Sequence, residues 1–279
     1  MLRHLFVSLI LVALAGGAYF LLTPQGRQFV DRVHINLERA EHKALHRAGK
    51  PLPGTPDLTR LDRRLGDAGV ALGVPVYIRI FKLESELELW VQKDGRFEHF
   101  ATYPICMWSG RLGPKLKEGD RQAPEGFYTV DKDALNPNSR MHLSFNLGFP
   151  NAYDRSHGRT GSFLMVHGGC ASIGCYAVTD GVVDEVWDFV TAALDNGQAR
   201  IPVHAFPFRM TDRNLRLRRG DAWSDFWAGL KKGYDLFEQD RVPPKVSACG
   251  GRYAFERGSA ATVASEVEEA CPPEIAGNT

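Results

Sequence analysis

At 279 residues the chain has room for one large domain, or one domain with appendages. Its 44% hydrophobic and 24% charged residues are ordinary for a folded globular protein. A net charge of +1 supplies no global field for nucleic acid, so no nucleic-acid partner is expected, and the basic stretch 213–219 reads as a solvated face.

Arg3 precedes an apolar run over 5–22, a charged start and a hydrophobic stretch close to a membrane span of about 20 residues. Residues 1–22 are expected to be a signal peptide, cleaved near Gly16-Gly17-Ala18, or a retained membrane anchor. Either carries the rest to the periplasm or cell envelope, and an uncleaved helix makes the membrane a partner. Residues 23–73 read as a stalk or helical linker: a helix over 30–48, a Pro-rich break at 51–56, and a second helix over 57–69 with Leu58, Leu61 and Leu65 at helical spacing.

A compact domain is expected over 74–212. Strands are predicted at 76–81, 87–92 and 97–105 from β-branched and aromatic residues in partial alternation, with Lys93-Asp94-Gly95 as a hairpin turn. The Gly/Pro/charge-rich stretch 109–125 is long for a loop, which marks it as functional or disordered. Further strands are predicted at 126–131, 162–166 and 200–206. A helix over 180–194 carries the apolar stripe Val183, Val186, Trp187, Val190 and Leu194. Residues 213–279 read as a C-terminal helical extension with a weakly ordered tail. Its helix over 222–240 places Trp223, Phe226, Trp227, Leu230, Tyr234 and Phe237 on one face, as core rather than ligand cradle. Strands dominate, so the fold class is mainly β, a sandwich or open barrel with peripheral helices.

Chemistry concentrates in His167-Gly168-Gly169-Cys170-Ala171-Ser172-Ile173-Gly174-Cys175-Tyr176-Ala177. A thiol is a strong nucleophile only as thiolate, and a nearby imidazole is the usual way to produce one. Glycines let the backbone turn sharply and expose N–H groups, as an oxyanion site needs. Five cysteines is an odd number, and in an oxidising compartment one is left over. Cys249 and Cys271 flank the tail and could close it as a disulfide. Cys106 and Cys170 could pair if they lie close, which would isolate Cys175. Two other readings stand beside the nucleophile. His167, Cys170 and Cys175 could be metal ligands, although a fourth ligand is missing, so no metal or cofactor is expected. Cys170 and Cys175 could exchange disulfides, although Cys-x4-Cys is not the usual redox spacing. A binding module with a dead site is a third class.

His167-Gly168 followed by Ser172-x-Gly174-Cys175 resembles the signature of the L,D-transpeptidase (YkuD-type) catalytic domain. The compact spacing, with Ile173 where the family has a second histidine, looks like its YafK-like branch. So do Tyr103-Pro104-Ile105-Cys106, Ser109-Gly110-Arg111-Leu112-Gly113-Pro114-Lys115, residues 119–128, Asn136-Pro137-Asn138-Ser139 and Phe206-Pro207-Phe208-Arg209-Met210, all in order between about 76 and 210. The resemblance implies a YkuD-like sandwich with Cys175 as nucleophile, His167 as proton acceptor and donor, and the Gly174 and Cys175 N–H groups at the oxyanion, with the Gly168 carbonyl a weaker candidate to orient His167. Arg111, Lys115, Ser172, His142 and Arg159 are candidate substrate-binding residues. It implies peptidoglycan stem peptides, and wall-attached protein, as partners. The thiol would attack the L-centre carbonyl of the third stem residue to give a thioester, resolved by transpeptidation or hydrolysis, or in an amidase reaction that releases attached protein or peptide.

Overall fold

A computed structural model describes residues 6, 8–12, 16–19, 23–259 and 264–272. Much of the predicted signal or anchor lies outside them. Among the described residues no single helix is long and apolar enough to cross a membrane.

Helix α1 (Pro24–Arg47) opens with Thr23, whose hydroxyl accepts from Gly26 N–H, and with Pro24, whose missing N–H costs nothing in a first turn. The stretch expected to be a stalk is packed on the domain instead. Ile35 is buried in the main core, Arg39 lies 4.1 Å over the Trp108 ring, and buried His42 donates from Nδ1 to Ile105 O at 3.0 Å. Gly26, Ile35 and His42 are its buried residues while Val30, Val33 and Leu37 stay exposed, so the docked face is mixed rather than apolar. The second helical stretch is a 3-10 turn (Leu58–Arg60) running into α2 (Leu61–Ala68), which the left-handed Gly69 ends.

The first sheet has the order β3-β2-β1-β10-β5, built from β1 (Val76–Phe81), β2 (Glu86–Lys93), β3 (Arg96–Pro104), β5 (Gly126–Val130) and β10 (Ile201–Phe206). Only β1 and β10 run parallel. Asp94 and Gly95 both take positive φ, 50° and 80°, so the β2–β3 hairpin closes on a two-residue turn whose twist matches the strands. Every residue of β1 is buried because both faces are covered. Val76, Ile78 and Ile80 face the main core with the second sheet and α4 (Asp180–Asp195); Tyr77 and Phe81 meet α6 (Ser224–Asp240). The aromatic stripe of α6 is thus core: Trp227, Leu230 and Phe237 are almost wholly buried, each worth roughly 2–3 kcal/mol by area. A short helix, α5 (Asp212–Leu217), leads into α6. Arg79 ties α6 down through Glu238 (2.6 Å) and is itself held by Glu88 of β2 (2.8 Å).

The C-terminal stretch is not a weakly ordered tail over 249–259 and 264–272. A hairpin of β11 (Lys245–Cys249) and β12 (Arg252–Glu256) packs Tyr253 and Phe255 on Phe127, at centroid distances of 4.9 and 5.1 Å. Cys249 and Cys271 are bonded, with Cα atoms 4.8 Å apart. The small and acidic composition of this stretch hid two apolar contacts and a covalent tie.

The second sheet has the order β4-β9-β8-β7-β6 and carries the His/Cys loop. Its strands are short: β4 (Met107–Trp108), β6 (Leu135–Asn136), β7 (Ser144–Asn146), β8 (Met165–His167) and β9 (Tyr176–Ala177). The expected strand over 162–166 is confined to β8, because Phe163 takes a φ of 54° that no strand accommodates. A further short helix, α3 (Ala152–Ser156), is fixed by a capping box between Asn151 and Asp154.

Candidate active site

Strand β8 ends on His167, and β9 begins just after Cys175. The two run parallel, with Val166 opposite Tyr176 and His167 opposite Ala177. One step back along this register sets Cys175 beside Met165. Side chains alternate along a strand, so Met165, His167 and Cys175 point to the same face. Strand spacing and rise put the Cα atoms of His167 and Cys175 about 8 Å apart on the diagonal, within joint reach of a thiol and an imidazole.

Residues 168–174 make the crossover, and several ties fix it. Gly169 (φ 69°) and Gly174 (φ 123°) occupy backbone regions that disfavour other residues. At Gly174 a Cβ would also come within 3.3 Å of Leu164 Cδ1. Cys170 is bonded to Cys106, Cα atoms 5.3 Å apart, which clamps the loop to the strand entering β4. That pairing leaves Cys175 as the free thiol among the described cysteines. It also takes Cys170 out of the reading as a free thiolate ligand for a metal, and its sulfur is bonded to Cys106 rather than to Cys175. Ser172 donates from Oγ to Cys175 O at 2.7 Å, and Ser109 Oγ meets Ser172 Oγ at 2.8 Å. The Gly174 N–H donates to both hydroxyls. It is therefore engaged within the loop, and an acyl oxyanion would have to displace a hydroxyl to use it, which corrects its assignment as a ready oxyanion donor.

Cys175 is half-buried; its Sγ accepts from Met165 N–H at 3.4 Å and lies 3.6 Å from Phe163 O. Burial pushes the thiol pKa up, against the Met165 N–H and the field of Lys115, which favour thiolate. His167 is 5% exposed, and burial pushes its pKa down against a hydrogen bond to Gly168 O. Both shifts favour a resting pair of neutral thiol and neutral imidazole. His167 Nδ1 lies 2.6 Å from Gly168 O. A carbonyl only accepts, so Nδ1 carries the proton and Nε2 keeps a free lone pair.

The remaining candidates separate. Lys115 is drawn close enough to act on Cys175, but its ammonium is buried on Asp120 (2.7 Å) and Lys117 O (3.0 Å). Arg111 has an exposed side chain, while its backbone is clamped by Gln122. Ser172 serves the loop itself. His142 is exposed at φ 69° and bonds Asp184 at 2.6 Å, which raises its pKa. Arg159 is corrected as a substrate ligand: it is 6% exposed, paired with buried Asp154 at 2.8 Å and stacked 4.8 Å over Phe226.

The long loop 109–125 is ordered, and the residues that order it escaped sequence reasoning. Lys82, fully buried, donates to Gly113 O, Ala123 O and Glu125 Oε1 at 2.9–3.0 Å. Glu125 in turn accepts from Gly113 N–H (2.7 Å) and Trp227 Nε1 (2.9 Å). Gly113, Ala123 and Glu125 stand in motifs of the family resemblance and Trp227 in the apolar stripe, but Lys82, which joins them, had no signal.

The chain belongs to the L,D-transpeptidase family: the YkuD model, the L,D-transpeptidase catalytic domain, matches residues 75–213. Within that family it is 50% identical over 186 residues to the protein provisionally named L,D-transpeptidase YafK in Escherichia coli K12, and equally to its counterpart in E. coli O157:H7. The match covers 67% of this chain and 76% of the relative. Among solved structures, the helical cell shape determining protein Pgp2 of Campylobacter jejuni aligns at a TM-score of 0.39, with 19% identity over 65% of this chain and 66% of that one. Bd1075 of Bdellovibrio bacteriovorus aligns at 0.36, with 14% identity over 67% of this chain and 84% of that one.

Proposed function

We propose that this is a peptidoglycan-modifying cysteine acyl-transferase of the cell envelope. The observation that carries the reading is the free Cys175 on the same sheet face as His167, in a chain whose other described cysteines are paired. Cys175 Sγ attacks the carbonyl on the L-centre of the third stem-peptide residue, and its proton passes to His167 Nε2. The C–N bond breaks, Nε2 returns the proton to the leaving amine, and a thioester remains on Cys175. An incoming amine completes transpeptidation; water completes hydrolysis. Amidase release of wall-attached protein uses the same acyl-enzyme. Because the resting pair is neutral, acylation rises with pH as imidazolium is lost, then levels once Nε2 is free.

The test compares the full chain and Cys175→Ala on muropeptides, with and without an attached lysine or peptide, by mass spectrometry of products. Wild type should form a thioester adduct and turn over at least one class, and the variant neither. Equal behaviour of both on every substrate sinks the enzymatic reading. His167→Gln should lower acylation by about 10²–10⁴ while the circular dichroism spectrum is unchanged.

A further inference from the structure

We propose that Asp180 is a positioning residue for this chemistry, acting on His167 through one intervening peptide group. The inference rests on His167 being the base. Asp180 Oδ1 accepts from the Gly169 N–H at 2.7 Å. His167 Nδ1–H donates to the Gly168 carbonyl at 2.6 Å. That carbonyl and that N–H are the two ends of a single amide. An amide is conjugated, so a carboxylate held at its N–H end raises the negative charge on its oxygen. The oxygen then becomes a better acceptor for Nδ1–H and stabilises the imidazolium that forms when Nε2 takes the thiol proton. Asp180 thereby fills, at one remove, the orienting place that a buried carboxylate holds in triads where it touches the imidazole directly.

The surroundings are shaped for this contact. A Cβ on Gly168 would stand 2.8 Å from Asp180 Oδ1 and 3.0 Å from Met141 O, so only glycine lets the amide sit against the carboxylate. Gly169 turns through φ 69° immediately after it. Asp180 is the first residue of α4 and follows Thr179, its N-cap. Val178 N–H donates to His167 O at 2.9 Å, so the helix start is tied to the strand that carries the base. The charged groups that bear on this cluster are His142, within the field of both Asp180 and Asp184, and Lys115, which acts on Cys175. An acidic residue in a first helical turn also stabilises the helix dipole, a purely structural role that the experiment must separate.

The experiment follows the His167 side-chain resonances by ¹H–¹⁵N NMR in the full chain, without substrate, with His142→Gln as background to remove the neighbouring imidazole. Asp180→Asn should move the His167 titration to lower pH and slow Cys175 alkylation by iodoacetamide at pH 7 about tenfold, the low end for outer partners of a functional histidine. Asp180→Glu should recover part of both. In the chain with Asp180 intact, acidification should move the Gly169 amide proton and the His167 Nδ1 resonance with one shared midpoint, a readout that needs no Asp180 variant to fold. A His167 titration in Asp180→Asn that superimposes on its parent, or a Gly169 amide that moves alone, overturns the proposal. Neither readout depends on whether wall peptides are turned over, so its failure is distinct from failure of the acyl-transferase reading.

Discussion

Replacing Glu125 by Gln tests whether a buried ion pair outside the 168–174 crossover holds the catalytic loop. Lys82 and Glu125 are both 0% exposed. Desolvation pushes the Lys82 pKa down, and Glu125 is the chief opposing influence. Gln preserves shape and leaves one oxygen for either Lys82 or Trp227, but not both. Where Glu125 Oε2 accepts from Trp227 Nε1, the amide would present a donor to a donor. Where Oε1 serves, the Lys82 ammonium loses its counter-charge. Breaking one side of such a pair costs about 3–5 kcal/mol, because the remaining charge is buried uncompensated. At about 2–4 °C per kcal/mol for a domain of this size, the melting temperature should fall by about 10 °C. Lys82 bonds Gly113 O and Ala123 O, so loss of the pair should also loosen the loop that presents Ser109 to Gly174. Thermal and urea unfolding by circular dichroism give the stability, and alkylation of Cys175 reports the loop. Lys82→Met in the Glu125→Gln chain should recover part of the loss, since it removes the orphan charge while the Gln amide still serves one of the Glu125 donors; Gly113 O and Ala123 O, left without the Lys82 donor, keep the remainder lost. The reasoning is refuted if Glu125→Gln lies within about 1 kcal/mol of wild type, or if the double variant is no better than the single.

Three other outcomes are expected. Ser109→Ala removes one of two acceptors on the Gly174 N–H and should cut Cys175 acylation severalfold at a stability cost of about 1 kcal/mol, read by alkylation kinetics and urea melts. Cys249→Ser opens a tie spanning 22 residues and should cost about 3 kcal/mol, with hydrogen exchange rising first in β11 and β12. Burial, with Arg79 nearby, depresses the His204 pKa from 6.5 to about 3, so the unfolded chain binds the proton first. Stability is then whole above about 6.5 and is lost as pH falls toward about 3, by up to about 5 kcal/mol; His167, also depressed, adds in the same direction. His204→Asn should flatten that slope in acid unfolding curves.

Much was legible along the chain because local rules decide it. The hairpin turn at Asp94-Gly95, the strand at 76–81, the helix beginning at Asp180 and the aromatic face of α6 are short-range patterns, and each occurs where its pattern placed it. The His/Cys loop announced itself by residue type alone. Harder were the α1 helix, whose docking on Trp108 and Ile105 depends on partners more than sixty residues away, and the terminal hairpin, whose anchor is Phe127.

By itself the sequence determined that a histidine and a cysteine share one glycine-broken turn and that a family signature surrounds them. Only the tertiary structure decided which cysteine is free, because pairing depends on Cα separations that spacing does not encode. It likewise took Lys115 and Arg159 into buried ion pairs, gave the Gly174 N–H to two serines, and set Asp180 behind the amide that orients His167. Charge and hydrogen-bonding capacity are written in the chain, but their use is fixed by what stands within about 3 Å after folding, and that neighbour is usually distant in sequence.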